Sequence, residues 1–191
     1  MSLIKMTPYH PNWPDEYQKI AKQLRFLLED VALRIDHIGS TSINELAAKD
    51  VIDIQITVDD ISNTFIEQKL TSEGFVFRNE ADCDNLVGLD NDSIELKKKF
   101  FQELQGERRA HIHVRQIGRL NQEYPLLFRD YLRSHSTIKL AYAKIKIELA
   151  KYFSNDANGY YAIKDPYMDT VYQAAKLWAK QTNWQQDSEV N

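Results

Sequence analysis

Three stretches of the chain carry residues whose types and spacing can do chemistry. "HIGSTSI", His37 to Ile43, combines one glycine with three hydroxyl side chains. Gly39 would let the backbone come close to an oxyanion, while Ser40, Thr41 and Ser42 offer hydroxyl and amide donors. His37, directly before the turn, could contact a phosphate or move a proton near neutral pH. "VIDIQITV" carries Asp53, a hard oxygen ligand for Mg²⁺ or Mn²⁺, with Lys49 at its entrance to pair with a phosphate. "AHIHVRQI" carries His111 and His113, which with Asp53 make a two-histidine, one-carboxylate set that would also accept Zn²⁺. Later, "FRDYLRSH" sets Arg129 and Arg133 four apart on one helical face, where guanidinium forks fit phosphate oxygens. Each feature also has a plainer use: a bend, a surface ion pair, a hydrogen-bonded histidine, a solvated charged face. Together they point to anion handling with a divalent cation. Asp53, His113 and His37 are the candidate catalytic groups. Gly39, Ser40, Thr41, Ser42, Lys49, Arg129 and Arg133 are the candidate phosphate binders, and Asp53, His111 and His113 the candidate metal ligands.

These residues form one site only if the chain brings their strands together. Alternation along "VIDIQITV" puts Ile52, Ile54, Ile56 and Val58 on one face and Val51, Asp53, Gln55 and Thr57 on the other. "AHIHVRQI" divides in the same way, with His111, His113 and Arg115 opposite Ala110, Ile112 and Val114. Were the two strands sheet neighbours, Asp53, His111 and His113 would converge beside the Gly39-Ser40 turn. "VALRIDHI" reads as a strand before that turn, and a short helix near "INELAA" would add its N-terminal dipole. Ile20, Leu24, Leu27 and Leu28 recur at helical spacing after a Pro-rich start. "DDISNTFIEQKLTSEG" reads as a helix beginning at Asp59 or Asp60 and ending before Gly74, "FVFRNE" and "LKKKFFQEL" as strands, and residues 81–95 as an irregular acidic loop. Three helices then follow, over 122–135, 136–153 and 158–182, before a frayed "QQDSEVN" tail. Tyr142, Tyr160, Tyr161 and Trp178 read as packing residues of these helices.

The organisation is α+β: a mixed α/β core over 1–120, then a helical part over 121–185, in one unit. With 191 residues, 43% hydrophobic, the chain can build a sizeable core. A net charge of −4 gives no general attraction to nucleic acid or to an anionic membrane. The single cysteine, Cys83, allows no internal disulfide. No apolar leader or membrane-spanning run is apparent, so the expectation is a cytoplasmic protein.

"RIDHIGSTSINELAAKDVIDIQI", followed by "HIHV" and "FRDYLRSH", resembles the GrpB family, over nearly the whole chain from "YHPNWPDEY" to the last helix. The resemblance implies a nucleotidyltransferase-like fold, in a domain that some bacteria fuse to dephospho-CoA kinase. The wider superfamily follows a Gly-Ser turn with an acidic-x-acidic strand and a third carboxylate on a later strand. Gly39 and Ser40 match the turn and Asp53 the first acid. Gln55 stands at the second acidic position, and His113, flanked by His111, at the third. Lys146 and Lys164 match basic positions of the family pattern, although on residue type alone both read as surface charges. The implied function is binding of a phosphate-bearing nucleotide with a divalent cation, with or without nucleotidyl or phosphoryl transfer. The alternatives are a non-catalytic nucleotide- or coenzyme-A-binding module and a metal-dependent phosphohydrolase.

Overall fold

The computed structural model describes residues 3–90 and 92–186. Helix α1, Trp13–Leu28, starts with Pro14, Asp15 and Glu16 in its first turn, where a missing amide and negative charge both suit a helix N-terminus. Its buried stripe of Ala21, Leu24 and Leu28 packs on the sheet. The strands are β1 Arg34–Ile38, β2 Ile52–Val58, β3 Val76–Phe77, β4 Lys98–Gln102 and β5 Ala110–Gln116, in the order β1-β2-β5-β4-β3. β2 and β5 run parallel and every other pair is antiparallel. Helix α2, Phe65–Ser72, supplies the crossover between β2 and β3.

The isoleucine face of β2 and the Ile112 and Val114 face of β5 are fully buried against α1 and α2. The opposite face is buried as well: Gln55 and Thr57 are 0% exposed. What covers it is the helical part, α3 Leu120–Ser134, α4 Ser136–Tyr152 and α5 Ala157–Thr182, which holds its own core around Leu127, Tyr142 and Tyr172. This is the expected α+β arrangement, a mixed sheet with helices followed by a helical segment.

Several expected boundaries move for local reasons. The strand before the turn starts at Arg34 because Glu29–Val31 forms a 3-10 turn. No helix forms over "INELAA". The only helical turn there is a 3-10 turn at Ser40–Ser42, and Glu45 at φ 63° stops any continuation, so no helix dipole faces the turn. Asp60 caps a separate turn by accepting from Ser62 N–H at 2.8 Å, which delays α2 to Phe65. From Asp187 onward, the expected frayed tail lies outside the described residues.

Candidate functional site

β1 ends at Ile38, whose partner across the sheet is Asp53, so the chain turns directly over the first polar residue of β2. Gly39 makes the bend at φ 67°. A side-chain carbon at Gly39 would lie 2.8 Å from Asp53 Cγ, a distance real contacts do not reach. Positive φ and the Asp53 carboxylate thus both require glycine. Ser42 Oγ donates to the Gly39 carbonyl at 2.6 Å and buried Thr41 Oγ1 lies 3.0 Å from His37 Nε2, so these two hydroxyls hold the turn's shape. Ser40 is the hydroxyl that lines the adjoining cavity.

Lys146 is not the surface charge its residue type suggests. It is 2% exposed, and its Nζ donates to Ser40 Oγ at 2.8 Å and to the Ala47 carbonyl at 2.7 Å. Burial, with the nearby Lys164 and Lys49 charges, pushes its pKa down to about 7 against the pull of Asp53. Lys164 also turns inward: it lines the cavity and donates to Asp165 at 2.9 Å. Burial works against its charge, but the Tyr142 phenol and the Asp165 carboxylate hold its pKa above the ordinary value. The signal for Lys146 was legible in its helix, because Tyr142 and Leu149, buried four before and three after, place it on the inward face.

The parallel β2–β5 pairing sets His111 beside Asp53 and His113 beside Gln55. His111 Nδ1 lies 3.3 Å from Asp53 Oδ1. Burial raises the Asp53 pKa, but the hydrogen bond and charge of His111, with Lys49 and His37, bring it below the usual carboxylate value. Burial, then Arg115 and Lys98, hold His113 well below its ordinary pKa, so its imidazole is neutral. One ligand atom from each of Asp53, His111 and His113 can be chosen so that all lie within 4.8 Å of one another, a spacing one cation can bridge. The donor set fits a divalent ion, and two imidazoles favour Mn²⁺ or Zn²⁺ over Mg²⁺.

The second acidic position has a different use. Gln55 Oε1 accepts from Arg115 at 2.8 Å and its Nε2 donates to the Gln122 carbonyl of α3 at 2.9 Å. Arg115 also grips Asp84 at 2.8 and 3.1 Å, and Lys98 reaches Asp84 at 2.6 Å. Burial opposes ionisation of Asp84, yet the Arg115 and Lys98 charges hold its pKa far below the ordinary value. Asp84 lies in the acidic loop, where no periodicity marks it from its neighbours, and Arg115 was visible only as the third member of the histidine face.

His37 faces α1, not the cavity. Its ring is stacked on Tyr17 at 4.6 Å, and burial, outweighing Asp53, pushes its pKa down to about 3. It stays neutral across the physiological range, which removes it as an acid or base there. Arg129 donates to the His37 carbonyl at 3.0 Å and to Asp130 at 2.7 Å, while Arg133 donates to the Ser42 carbonyl at 2.6 Å and to Asp130 at 3.4 Å. Arg129 and Arg133, expected as a phosphate clamp, thus brace both ends of the turn, and Arg129 also lines the adjoining cavity. Lys49 Nζ bonds the Tyr161 hydroxyl and sits 4.6 Å from that ring's centre, close enough to lower the Asp53 pKa.

A cavity of about 270 Å³ opens beside the Gly39-Ser40 turn and Asp53. Ser40, Asp53, His113 and Lys164 line it, and so do Asn85 and Leu86 of the acidic loop, with Asn121, Tyr124 and Asp169. None of the last five was singled out from the sequence. Among the described residues no helix is long and apolar enough to cross a membrane.

A crystal structure of the conserved protein GrpB from Enterococcus faecalis matches the chain with a TM-score of 0.73 and 27% identity, covering 91% of this chain and 99% of that one. A dephospho-CoA kinase of Mycobacterium tuberculosis is 31% identical over 94% of this chain and 48% of its own length. UPF0157 protein YqkA of Bacillus subtilis is 30% identical over 94% of this chain and 49% of its own. The chain thus spans about half the length of these curated relatives. The GrpB protein family model matches residues 3–174, and the chain belongs to the GrpB family.

Proposed function

We propose that the protein binds a phosphate-bearing nucleotide together with a divalent cation in the cavity between the sheet and the helical part. The observation that carries this is the fit of the Gly39-Ser40 turn onto Asp53 with Lys146 directed at Ser40. A close-approach glycine, a hydroxyl and two inward lysines supply what a phosphate needs, and Asp53 with His111 and His113 supplies what a cation needs. In this reading Ser40, Lys146 and Lys164 hold phosphate oxygens. Asp53, His111 and His113 hold the cation, whose chemistry is to neutralise phosphate charge. Arg115, which can only donate, reaches His113 Nδ1 at 3.4 Å, so neutral His113 offers its Nε2–H to an oxygen, and a cation would have to displace that contact to gain a lone pair. Transfer of the nucleotidyl or phosphoryl group to an acceptor is the catalytic form of this reading. Binding of ATP or CTP with Mn²⁺, measured by calorimetry and thermal shift, is the test. Wild type should bind, and Asp53→Asn should lose the cation-dependent part. No response to any nucleotide, with or without cation, overturns the reading.

One observation favours a non-catalytic version. Gln55 has its oxygen and its amide nitrogen both committed to the protein, so it is not placed as a second metal ligand. The half-length match to proteins named dephospho-CoA kinase makes a coenzyme-A-related ligand the natural second screen for such a module. Pyrophosphate release from labelled nucleoside triphosphates separates the two: turnover that Asp53→Asn abolishes establishes the enzyme, and binding without turnover establishes the module.

A further inference from the structure

A second set of residues lining the cavity has a chemistry of its own. Among them are Tyr124 and Phe128, whose near-parallel rings lie 6.0 Å apart, with Leu86, Leu120 and Met168; Tyr124 also packs on Tyr172 at 4.1 Å. The same lining carries polar atoms that accept hydrogen bonds. Asp169, 9% exposed, receives the Tyr124 hydroxyl at 3.0 Å on one oxygen and the Val87 N–H at 2.9 Å on the other. A carboxylate has about four acceptor sites, so roughly two remain. Asn121, 4% exposed, has its amide nitrogen spent on Asp84 Oδ2 at 3.1 Å and on the Lys97 carbonyl at 3.0 Å. Those two acceptors fix the orientation of the amide, and Asn121 Oδ1 is left buried with no donor in reach among the described residues. The hydroxyl of Tyr124 is already donated to Asp169. These lining residues therefore combine apolar faces with the spare acceptor sites of Asp169 and the undonated, fully buried Asn121 Oδ1, and a buried acceptor without a donor is costly.

We propose that this lining is a nucleobase subsite, formed by Tyr124, Phe128, Asn121 and Asp169, that selects bases carrying an exocyclic amine. The inference rests on the phosphate-binding reading of the same cavity and names the class of nucleotide it takes. A flat heteroaromatic ring suits a cavity lined by Tyr124, Phe128, Leu86, Leu120 and Met168. An amino group, as on cytosine or adenine, brings two N–H donors to the unfilled acceptors. Uracil and hypoxanthine place a carbonyl oxygen at the corresponding ring position, which would leave those acceptors unpaired and add a repulsive one.

The test compares matched pairs that differ in that substituent, CTP against UTP and ATP against ITP, by calorimetry with Mn²⁺ on the full chain. The amino member of whichever pair binds should be favoured by about tenfold or more, the worth of one well-made hydrogen bond to a charged group. Asp169→Asn, which turns one acceptor edge into a donor, and Asn121→Leu should each shrink that preference. Thermal melts show whether each variant folds, and the wild-type comparison is decisive even if one does not. Equal affinity within each pair, a preference for the keto member, or a preference unchanged in a folded variant overturns the base subsite and leaves phosphate binding standing. Failure of all four nucleotides to bind overturns the phosphate reading, and the base subsite with it.

Discussion

Two polar groupings share one face of the β2–β5 pair, only two residues apart along each strand, and they are built on opposite plans. At Gln55 and Arg115 every strong donor or acceptor named above has a protein partner: Arg115 holds Asp84 and Gln55, Asp84 also takes Lys98, and Gln55 reaches α3. At Gly39, Ser40 and Asp53 the partners are fewer and more exposed. The Asp53 side chain is 28% exposed and meets a histidine at 3.3 Å. The first grouping resembles a structural tie between the sheet, the acidic loop and α3. The second keeps oxygen and nitrogen ligands facing a cavity. The replacement of an expected second acid by Gln55 therefore does more than weaken a metal site, because the amide is what allows Arg115 and α3 to be joined at that point.

The comparison breaks first at its saturated end. Arg115→Met would leave the half-buried Asp84 with Lys98 as its one charged partner named above, beside the Asn121 amide, and strip Gln55 Oε1 of its donor. The expected loss is about 3–5 kcal/mol in urea unfolding, the range for removing one partner of a buried ion pair. A loss below about 1 kcal/mol would show that the knot is not structural. Gly39→Ala comes next: it forces a side-chain carbon into Asp53 at positive φ, and strain of about 1–3 kcal/mol is expected together with loss of nucleotide binding. Asp53→Asn should separate the two properties, shifting stability by only about 1 kcal/mol or less while removing the Mn²⁺ dependence of binding. If Asp53→Asn instead destabilises as much as Arg115→Met, the two groupings are alike and the division fails.

How far the sequence revealed this depended on period. β2 and β5 were legible because their side chains alternate cleanly, and the alternation correctly grouped Asp53 with Gln55 and His111 with His113. It did not reveal that both faces are covered, because α3 lies more than sixty residues beyond Gln55 and only the fold brings the Gln122 carbonyl to it. Asp84, Asn85 and Leu86 carry no pattern at all, since a loop docks through single contacts and not through a repeated face. The arginines show the opposite failure. Their i,i+4 spacing correctly placed Arg129 and Arg133 on one helix face, yet spacing cannot tell whether a guanidinium meets a ligand or the backbone carbonyls of His37 and Ser42.

The finest test of the comparison lies in Lys146, a buried cation on the unsaturated side with no carboxylate bonded to its Nζ among the described residues. Its pKa of about 7 is below the ordinary 10.5, so between pH 7 and 10.5 the unfolded chain binds more protons than the folded one. Stability from this residue should therefore rise with pH across that window, and the penalty is fully present below pH 7. Lys146→Met should flatten this slope in urea melts taken from pH 6 to 10. A bound phosphate adds negative charge beside the amine and favours its protonated form, so at pH 8 binding should take up as much as about one proton. Calorimetry in buffers of differing ionisation enthalpy measures that uptake directly. Uptake in wild type that disappears in Lys146→Met places the phosphate at Ser40 and Lys146; binding of normal affinity with no proton uptake in either protein places it elsewhere in the cavity.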